Sequence, residues 1–206
     1  MKREIEISEK TPLFLLAGPM FGEMFLNILL HSVDTLMLSH YAENAVGAVG
    51  NANQLMNLMI LMFGIIATAT SVVVSQYLGA GKKEHMNMIY TLVVMVNLVF
   101  GLVISGMLVL AKRSFMSMMR VSPEMMPDSL AYIQWVGGFL FLQACYNVMV
   151  QILRCNGHTK AGMYISLVIN GINIVGNYLV LYGPLKYLNL GVTGVALSTV
   201  IARVVA

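Results

Sequence analysis

Charged residues are scarce in this sequence of 206 residues: Asp, Glu, Lys and Arg together make up 10%, whereas hydrophobic residues make up 58%. A soluble domain of ordinary composition carries about a quarter charged residues. The net charge of +3 is small, so it gives no case for nucleic-acid binding. The mean hydropathy of +0.79 instead indicates a chain that is surrounded largely by lipid.

Cysteine is nearly absent as well. The chain has two, Cys145 inside an apolar run and Cys155 beside Arg154, and this placement suggests neither a disulfide framework nor a metal site. The four histidines are scattered without a recognisable ligand spacing. The sequence shows no nucleophile motif and no paired catalytic acid and base. We therefore expect neither an enzyme nor a bound cofactor.

Long apolar runs are what the sequence has in abundance. A helix of about 20 residues crosses a hydrocarbon core of roughly 30 Å. Six runs approach or exceed this length, and they span 13–38, 55–77, 88–111, 129–153, 161–182 and 189–206. The connections between them are short, which predicts antiparallel neighbours, and open backbone cannot be left facing lipid. The predicted fold class is an all-α integral membrane protein, a bundle of six transmembrane helices.

The distribution of Lys and Arg between the connections predicts how the bundle is oriented. Seven of these residues fall on the side of the N-terminus and four on the opposite side, which favours a cytoplasmic N-terminus. We expect a multi-pass protein of the cell's inner membrane. The last run stops in apolar sequence, from which we expect a missing C-terminal half beyond Ala206. A six-helix protein with a short last helix is the alternative.

Three of the apolar runs carry a narrow polar stripe, in which residues three or four apart share one face of a helix. The stripe of the first run consists of Glu23, Asn27, His31 and Asp34. That of the fourth run consists of Gln143, Asn147 and Gln151, and that of the fifth run of Asn170, Asn173 and Asn177. Polar groups in a membrane usually face the bundle interior or a water-filled cavity. We interpret the stripes as the lining of a substrate cavity. The alternative is that they only join helices through hydrogen bonds.

Asp34 is the most informative of these residues. Inserting a charged residue near the centre of a membrane helix costs of order 2.5–3.5 kcal/mol, so the presence of Asp34 requires an explanation. Such an aspartate can take up and release a proton, or bind a monovalent cation together with neighbouring amide oxygens. The alternative is a carboxylate wetted by the membrane interface. For Glu23 the sequence leaves two alternatives open, a pair with His31 or a place on the cavity floor.

Five motifs follow one another along nearly the whole chain: VDTLMLSHYAENAVGAVGNANQ, SVVVSQYLGAGKKE, QILRCNGHTKAGM, INGINIVGNYLVLYG and LGVTGVALSTVIAR. In this order they resemble the multidrug and toxic compound extrusion (MATE) family. The resemblance implies twelve helices in two six-helix lobes, of which this chain would be the N-terminal one. It also implies a secondary antiporter that exports small organic molecules, often cations, in exchange for H⁺ or Na⁺ by alternating access.

The resemblance implies roles for individual residues. Asp34 matches the first-helix aspartate that family members use for cation coupling, and Asn173 and Thr199 match partners in the same network. Asn177 stands where many members carry an aspartate, so one carboxylate is present where those members have two. If Na⁺ is the coupling ion, the resemblance implies a site made by Asp34, Asn173, Asn177 and Thr199.

Two other functions are kept as alternatives. A flippase for lipid-linked saccharides, from a related branch, is expected to carry more basic residues inside its cavity. Here only Arg203, near the end of the last run, lies inside an apolar run. The other alternative is a membrane scaffold half that transports nothing, for which changes in the polar stripes would alter stability but no flux.

Overall fold

The structure, a computed structural model, describes residues 13–41, 43–81, 83–188 and 190–205, and these ranges contain helices and no strand. Their α-helices are α1 (Leu13–Tyr41), α2 (Glu43–Gly79), α3 (Met86–Met118), α4 (Met126–Tyr132), α5 (Phe141–Cys155), α6 (Thr159–Leu181) and α7 (Gly191–Val205). A π-helical turn at Ile133–Gly137 follows α4. A short 3-10 helix at Lys83–His85 precedes α3, and another at Pro184–Leu188 precedes α7. The all-α prediction is confirmed.

Apolar side chains cover much of the outside of the bundle, as expected for a protein in lipid. On α3, for example, Leu92, Val103 and Leu110 are all exposed. By length and composition α2, α3 and α6 can each cross a membrane, and α4 with α5 makes a fourth such span. When α4 and α5 are taken together, the described helices form six segments in the order of the six apolar runs.

Several helices extend beyond the predicted runs, most of all α2, which begins at Glu43 and not at residue 55. The prediction was wrong here because residues 43–54 are small and polar and resemble a loop by hydropathy. In the structure Ala45, Ala48 and Ala52 are buried along one side of this first part of α2. Small residues at this interface allow the helix to start inside the bundle and pack closely on α4.

The fourth run, predicted as one helix over 129–153, is bent. The segment Met126–Gly137 and the helix Phe141–Cys155 meet at an angle of 45°. The break frees the backbone N–H of Phe141, which donates to the hydroxyl of Ser105 at 2.9 Å. A side chain from α3 thus replaces the lost helical bond, which is what a bend inside a membrane bundle requires. Hydropathy cannot detect such a bend because both halves are equally apolar.

Two sets of helix contacts organise the bundle. α1 packs along α6 and α6 along α7, while α2 and α3 both pack on α5. Fully buried side chains, among them Phe63, Leu108 and Leu140, form a core between these sets. The polar stripes of the first and fifth runs lie at the contact of α1 with α6, so this interface positions the candidate site.

The close approach of α3 to α5 gives the first testable prediction. A Cβ atom at Gly101 would lie 2.9 Å from Cα of Phe141 and 3.0 Å from Cβ of Ala144, neither of which can move without shifting a helix. We expect Gly101→Ala to lower the free energy of unfolding by about 1–3 kcal/mol, the usual cost of overpacking. Thermal unfolding of the purified full-length protein in detergent measures this.

Gly106 provides the matched control, since it lies on the same helix and a Cβ atom there meets nothing within 4 Å. Gly106→Ala should leave the melting temperature unchanged or raise it slightly. Equal melting temperatures for the two variants would contradict the close α3–α5 contact.

Candidate functional site

The centre of the candidate site is the carboxylate of Asp34, near the end of α1. The side-chain nitrogen of Asn177, on α6, donates to Oδ1 of Asp34 at 3.1 Å. Asn173 lies one turn earlier on α6, and its amide stands 3.1 Å from Oδ2 and 3.2 Å from Oδ1 of the same carboxylate. Both asparagines are buried, whereas Asp34 is partly buried. The structure therefore brings together three residues that the sequence had placed in two separate stripes.

The Asn173 amide fits its surroundings with its nitrogen toward Asp34. In this orientation the nitrogen donates to the carboxylate oxygens, and the amide oxygen accepts from Thr199 Oγ1 at 2.8 Å. The opposite orientation would set the amide oxygen against the carboxylate, and two acceptors need a proton or a cation between them. The orientation that this amide can adopt therefore depends on the charge of Asp34.

The contact between α6 and α7 holds Asn173 and Thr199 in place. Ser198 donates a hydrogen bond to the backbone oxygen of Asn173 at 3.1 Å, and Thr199 Oγ1 lies 3.0 Å from the backbone oxygen of Val195, one turn earlier on α7. The helices approach closely because residue 176 is a glycine that faces Ser198. A Cβ atom at Gly176 would lie 3.0 Å from Cβ of Ser198. The glycine therefore lets two short hydroxyl side chains reach across to α6.

Tyr132 is a site residue that the sequence analysis missed. Its side chain, on α4, is 5% exposed, and its phenol faces the side chains of Thr199 and Asn53. It stands at the end of α4, directly before the π-helical turn, a feature frequent at functional sites. In the sequence Tyr132 is one aromatic residue in an apolar run, and nothing separates it from a packing residue. Only the arrangement of α2, α4 and α7 reveals its polar neighbours.

Glu23 occupies a second polar cluster, about three helical turns before Asp34 on α1. Its Oε2 atom accepts from Arg154 Nη2 at 2.7 Å, and its Oε1 atom accepts from the hydroxyl of Tyr146 at 3.4 Å. Gly162 on α6 makes room for this pair, because a Cβ atom there would lie 2.8 Å from Oε2. The suggested pair with His31 was wrong: the partner comes from α5, 131 residues away in the chain.

Asn27 and Asn170 meet between the two clusters. Oδ1 of Asn27 accepts from Ser166 Oγ at 2.7 Å and from Asn170 Nδ2 at 2.9 Å. These bonds join α1 to α6, as expected for polar residues that hold membrane helices together. His31, by contrast, is exposed on α1.

The stripe on the fourth run does not join this interface. Gln143 donates to Asn147 at 3.0 Å, one turn along the same helix, and Gln151 is partly buried further on. Within the described ranges, no hydrogen bond connects these three side chains to those of α1 or α6. The residues described also contain no group of three or more His, Cys, Asp or Glu side chains that could hold a metal ion.

The donor set around Asp34 suits a proton or a monovalent cation. One carboxylate, two amide groups and one hydroxyl converge there, and all can present oxygen atoms. Oδ1 of Asn177 is buried and has no hydrogen-bond partner among the described residues. A buried amide oxygen of this kind is costly unless something pairs with it. A single carboxylate is present, so the cluster can balance one positive charge.

The chain is similar to a known protein family over most of its length. The family model described as MatE matches residues 19–179. The uncharacterized transporter YisQ of Bacillus subtilis (strain 168) is 43% identical over 194 residues, which cover 94% of this chain and 42% of that protein. The probable multidrug resistance protein NorM of Thermotoga maritima is 24% identical over 196 residues, with the same two coverages.

A solved structure gives the same result for the fold. An outward-facing multidrug resistance MATE family transporter of the MOP superfamily matches with a TM-score of 0.82 and 25% identity. The match covers 92% of this chain and 41% of that one. The fold is that of one six-helix lobe of a twelve-helix, two-lobed transporter, and the chain spans about 42% of the length of the curated relatives named above.

The ion pair of Glu23 with Arg154 gives a prediction for this interface. We expect Glu23→Gln to lower the free energy of unfolding by about 1–3 kcal/mol, because it leaves Arg154 without its charged partner in a site poor in water. Arg154→Gln should cost a similar amount. The double variant should cost clearly less than the sum, since the second change removes the group that the first left unpaired.

Thermal unfolding of the four full-length proteins in detergent measures this cycle. Glu84→Gln is the matched control, because Glu84 is exposed before α3 and its loss should change the melting temperature little. Strict additivity of the two single changes would contradict the ion pair.

Proposed function

Because this chain belongs to the MatE family, whose members are transporters and not enzymes, we propose that it forms one lobe of a secondary antiporter. In this proposal the complete protein exports small organic compounds, often cations, and takes in H⁺ or Na⁺ in exchange. It needs no other cofactor. The second lobe is the remaining half that the longer relatives contain.

The observation that carries this proposal is the carboxylate of Asp34 between two buried amides of α6. Asp34 alternates between an ionised form and a form that is protonated or bound to Na⁺. In the ionised form the amide nitrogen of Asn173 faces the carboxylate. In the protonated or Na⁺-bound form the amide oxygen of Asn173 faces the carboxyl group, and Asn177 and Thr199 change their hydrogen bonds to match. Sodium would be held by oxygen atoms of these same four side chains.

The change in pairing is what couples the ion to movement of the lobe. A ligand shifts a conformational equilibrium only by its difference in affinity for the two states. Here the difference arises because α1 carries the carboxylate and α6 carries the amides. Each state of Asp34 therefore favours a different fit of the two helices. Alternation between these fits opens the central cavity to one side of the membrane and then to the other.

The remaining polar residues are assigned by their positions. Asn27 and Asn170 line the cavity between Asp34 and the ion pair, and His31 extends this lining on α1. Glu23 contributes its charge to the ion pair at the cavity floor. On α5 the cavity is lined by Gln143, Asn147 and Gln151. The protein lies in the cell's inner membrane with its N-terminus in the cytoplasm.

A transport experiment on the complete protein in proteoliposomes tests the proposal. Ethidium, a fluorescent organic cation, is followed while H⁺ and Na⁺ gradients are imposed one at a time. We expect one of the gradients to drive transport. Asp34→Asn should abolish that driven transport at equal protein abundance, because asparagine has no charge for the ion to balance.

Glu84→Gln is the matched control, since Glu84 is exposed before α3 and belongs to none of the helices that form the cluster of Asp34. It should transport like the native protein. Unchanged driven transport in Asp34→Asn would show that coupling lies elsewhere. No transport at all, together with stability changes in variants of the three polar stripes, would favour a scaffold half.

A further inference from the structure

The C-terminal end of α1, one turn beyond Asp34, is held by a tyrosine that the proposed mechanism does not use. The hydroxyl of Tyr182 donates a hydrogen bond to the backbone oxygen of Met37 at 2.6 Å. Met37 follows Asp34 by three residues on α1. Tyr182 follows Asn177 by five residues and caps the end of α6. The bond therefore joins the same two helices as the contact between Asn177 and Asp34, directly beyond that contact.

The acceptor of this bond is a backbone atom, and this decides what the bond can do. A bond to a side chain fixes one rotamer, whereas a bond to a backbone oxygen holds the helix itself. The distance of 2.6 Å lies at the short end of the range for an O–H donor. A second contact acts at the same end of α1, because a Cβ atom at Gly191 would lie 3.2 Å from the hydroxyl of Tyr41. The end of α1 thus contacts both the end of α6 and the start of α7.

Tyr178, one turn before Tyr182, provides a comparison at the same end of α6. The two ring centroids lie 6.1 Å apart, and the side chains are 58% and 41% exposed, respectively. Tyrosines are frequent at the membrane interface, where the ring is in apolar surroundings and the hydroxyl reaches water. Among the described residues the hydroxyl of Tyr178 has no hydrogen-bond partner, whereas that of Tyr182 is directed to α1. Anchoring at the interface therefore accounts for Tyr178 but not for Tyr182.

We propose that Tyr182 is a positioning residue for ion coupling: its hydroxyl holds the end of α1 on α6 and so keeps the carboxylate of Asp34 against the amides of α6. This inference rests on the proposed function, in which the ion binds between a carboxylate of α1 and those amides. A site shared by two helices is competent only while both are in place, and its apparent affinity falls with the competent fraction. The bond from Tyr182 to Met37 raises that fraction.

Tyr182→Phe removes the hydroxyl and keeps the ring, so it tests the hydrogen bond by itself. Transport of ethidium by the complete protein in proteoliposomes is measured against the concentration of the coupling ion. We expect the half-maximal concentration of that ion to rise about fivefold, while the maximal rate at saturating ion stays within about twofold. A fivefold change corresponds to about 1 kcal/mol, which is the typical net contribution of one hydrogen bond.

Tyr178→Phe is the matched control, because it makes the same chemical change one turn away, at a hydroxyl that does not bind α1. It should transport like the native protein. The melting temperature of both variants in detergent is measured as well, so that a loss of folded protein is distinguished from a loss of ion affinity. An equal shift of the half-maximal ion concentration in the two variants would overturn the inference.

The carboxyl group of Asp34 can also be followed without transport. Dicyclohexylcarbodiimide reacts with protonated carboxyl groups in apolar surroundings, and mass spectrometry of the treated full-length protein gives the reaction rate at each one. In Tyr182→Phe we expect Asp34 to react about threefold faster or more, because the end of α1 leaves the amides of α6 more often. Glu23 is the internal control, since its pair with Arg154 lies far from Tyr182 on α1 and its rate should not change.

The two measurements separate this inference from the proposed function. If neither ion gradient drives ethidium transport, yet Tyr182→Phe and not Tyr178→Phe speeds the reaction of Asp34, the positioning role stands and the antiport proposal fails. If one gradient drives transport, yet Tyr182→Phe changes neither the half-maximal ion concentration nor the reaction of Asp34, the positioning role is wrong and Tyr182 is an interface anchor like Tyr178.

Discussion

The pairing of polar side chains of α1 with those of α5 and α6 is the constraint on which the rest of this lobe depends. Lipid offers no water to satisfy a polar group, so the polar side chains of α1 that lie at helix contacts need partners inside the bundle. Three levels of contact result: Glu23 with Arg154 of α5, Asn27 with Ser166 and Asn170 of α6, and Asp34 with Asn177 of α6. Together they fix the register of α1 against both helices, because a shift by one turn would separate every pair.

This register requires helices that approach one another closely, and glycines at the helix contacts allow that approach. Gly162 leaves room for the carboxylate of Glu23, and Gly176 leaves room for Ser198 of α7. Asparagine, serine and threonine are short, so their hydrogen bonds form only where helix backbones come near. The same residues that weaken a helix in water are therefore the ones that give this site its geometry.

Asp34 differs from the other carboxylate of this interface in how its charge is balanced. Glu23 is paired with Arg154, so its charge is balanced within the lobe. The hydrogen-bond partners of Asp34 among the described residues are neutral amides of α6. Its charge therefore remains to be balanced by an ion, which suits the exchange of that ion.

The sequence by itself determined the class of the protein and much of the site. Apolar runs predicted a helical membrane bundle, and spacings of three and four residues grouped Asp34, Asn173 and Asn177 into stripes before any contact was known. The bend between α4 and α5, the position of Tyr132 and the partner of Glu23 were decided only by the tertiary structure. The reason is physical: periodicity identifies residues that share a face of one helix, whereas the choice of which faces meet depends on packing between residues far apart in the chain. Glu23 and Arg154 are separated by 131 positions, and no local pattern connects them.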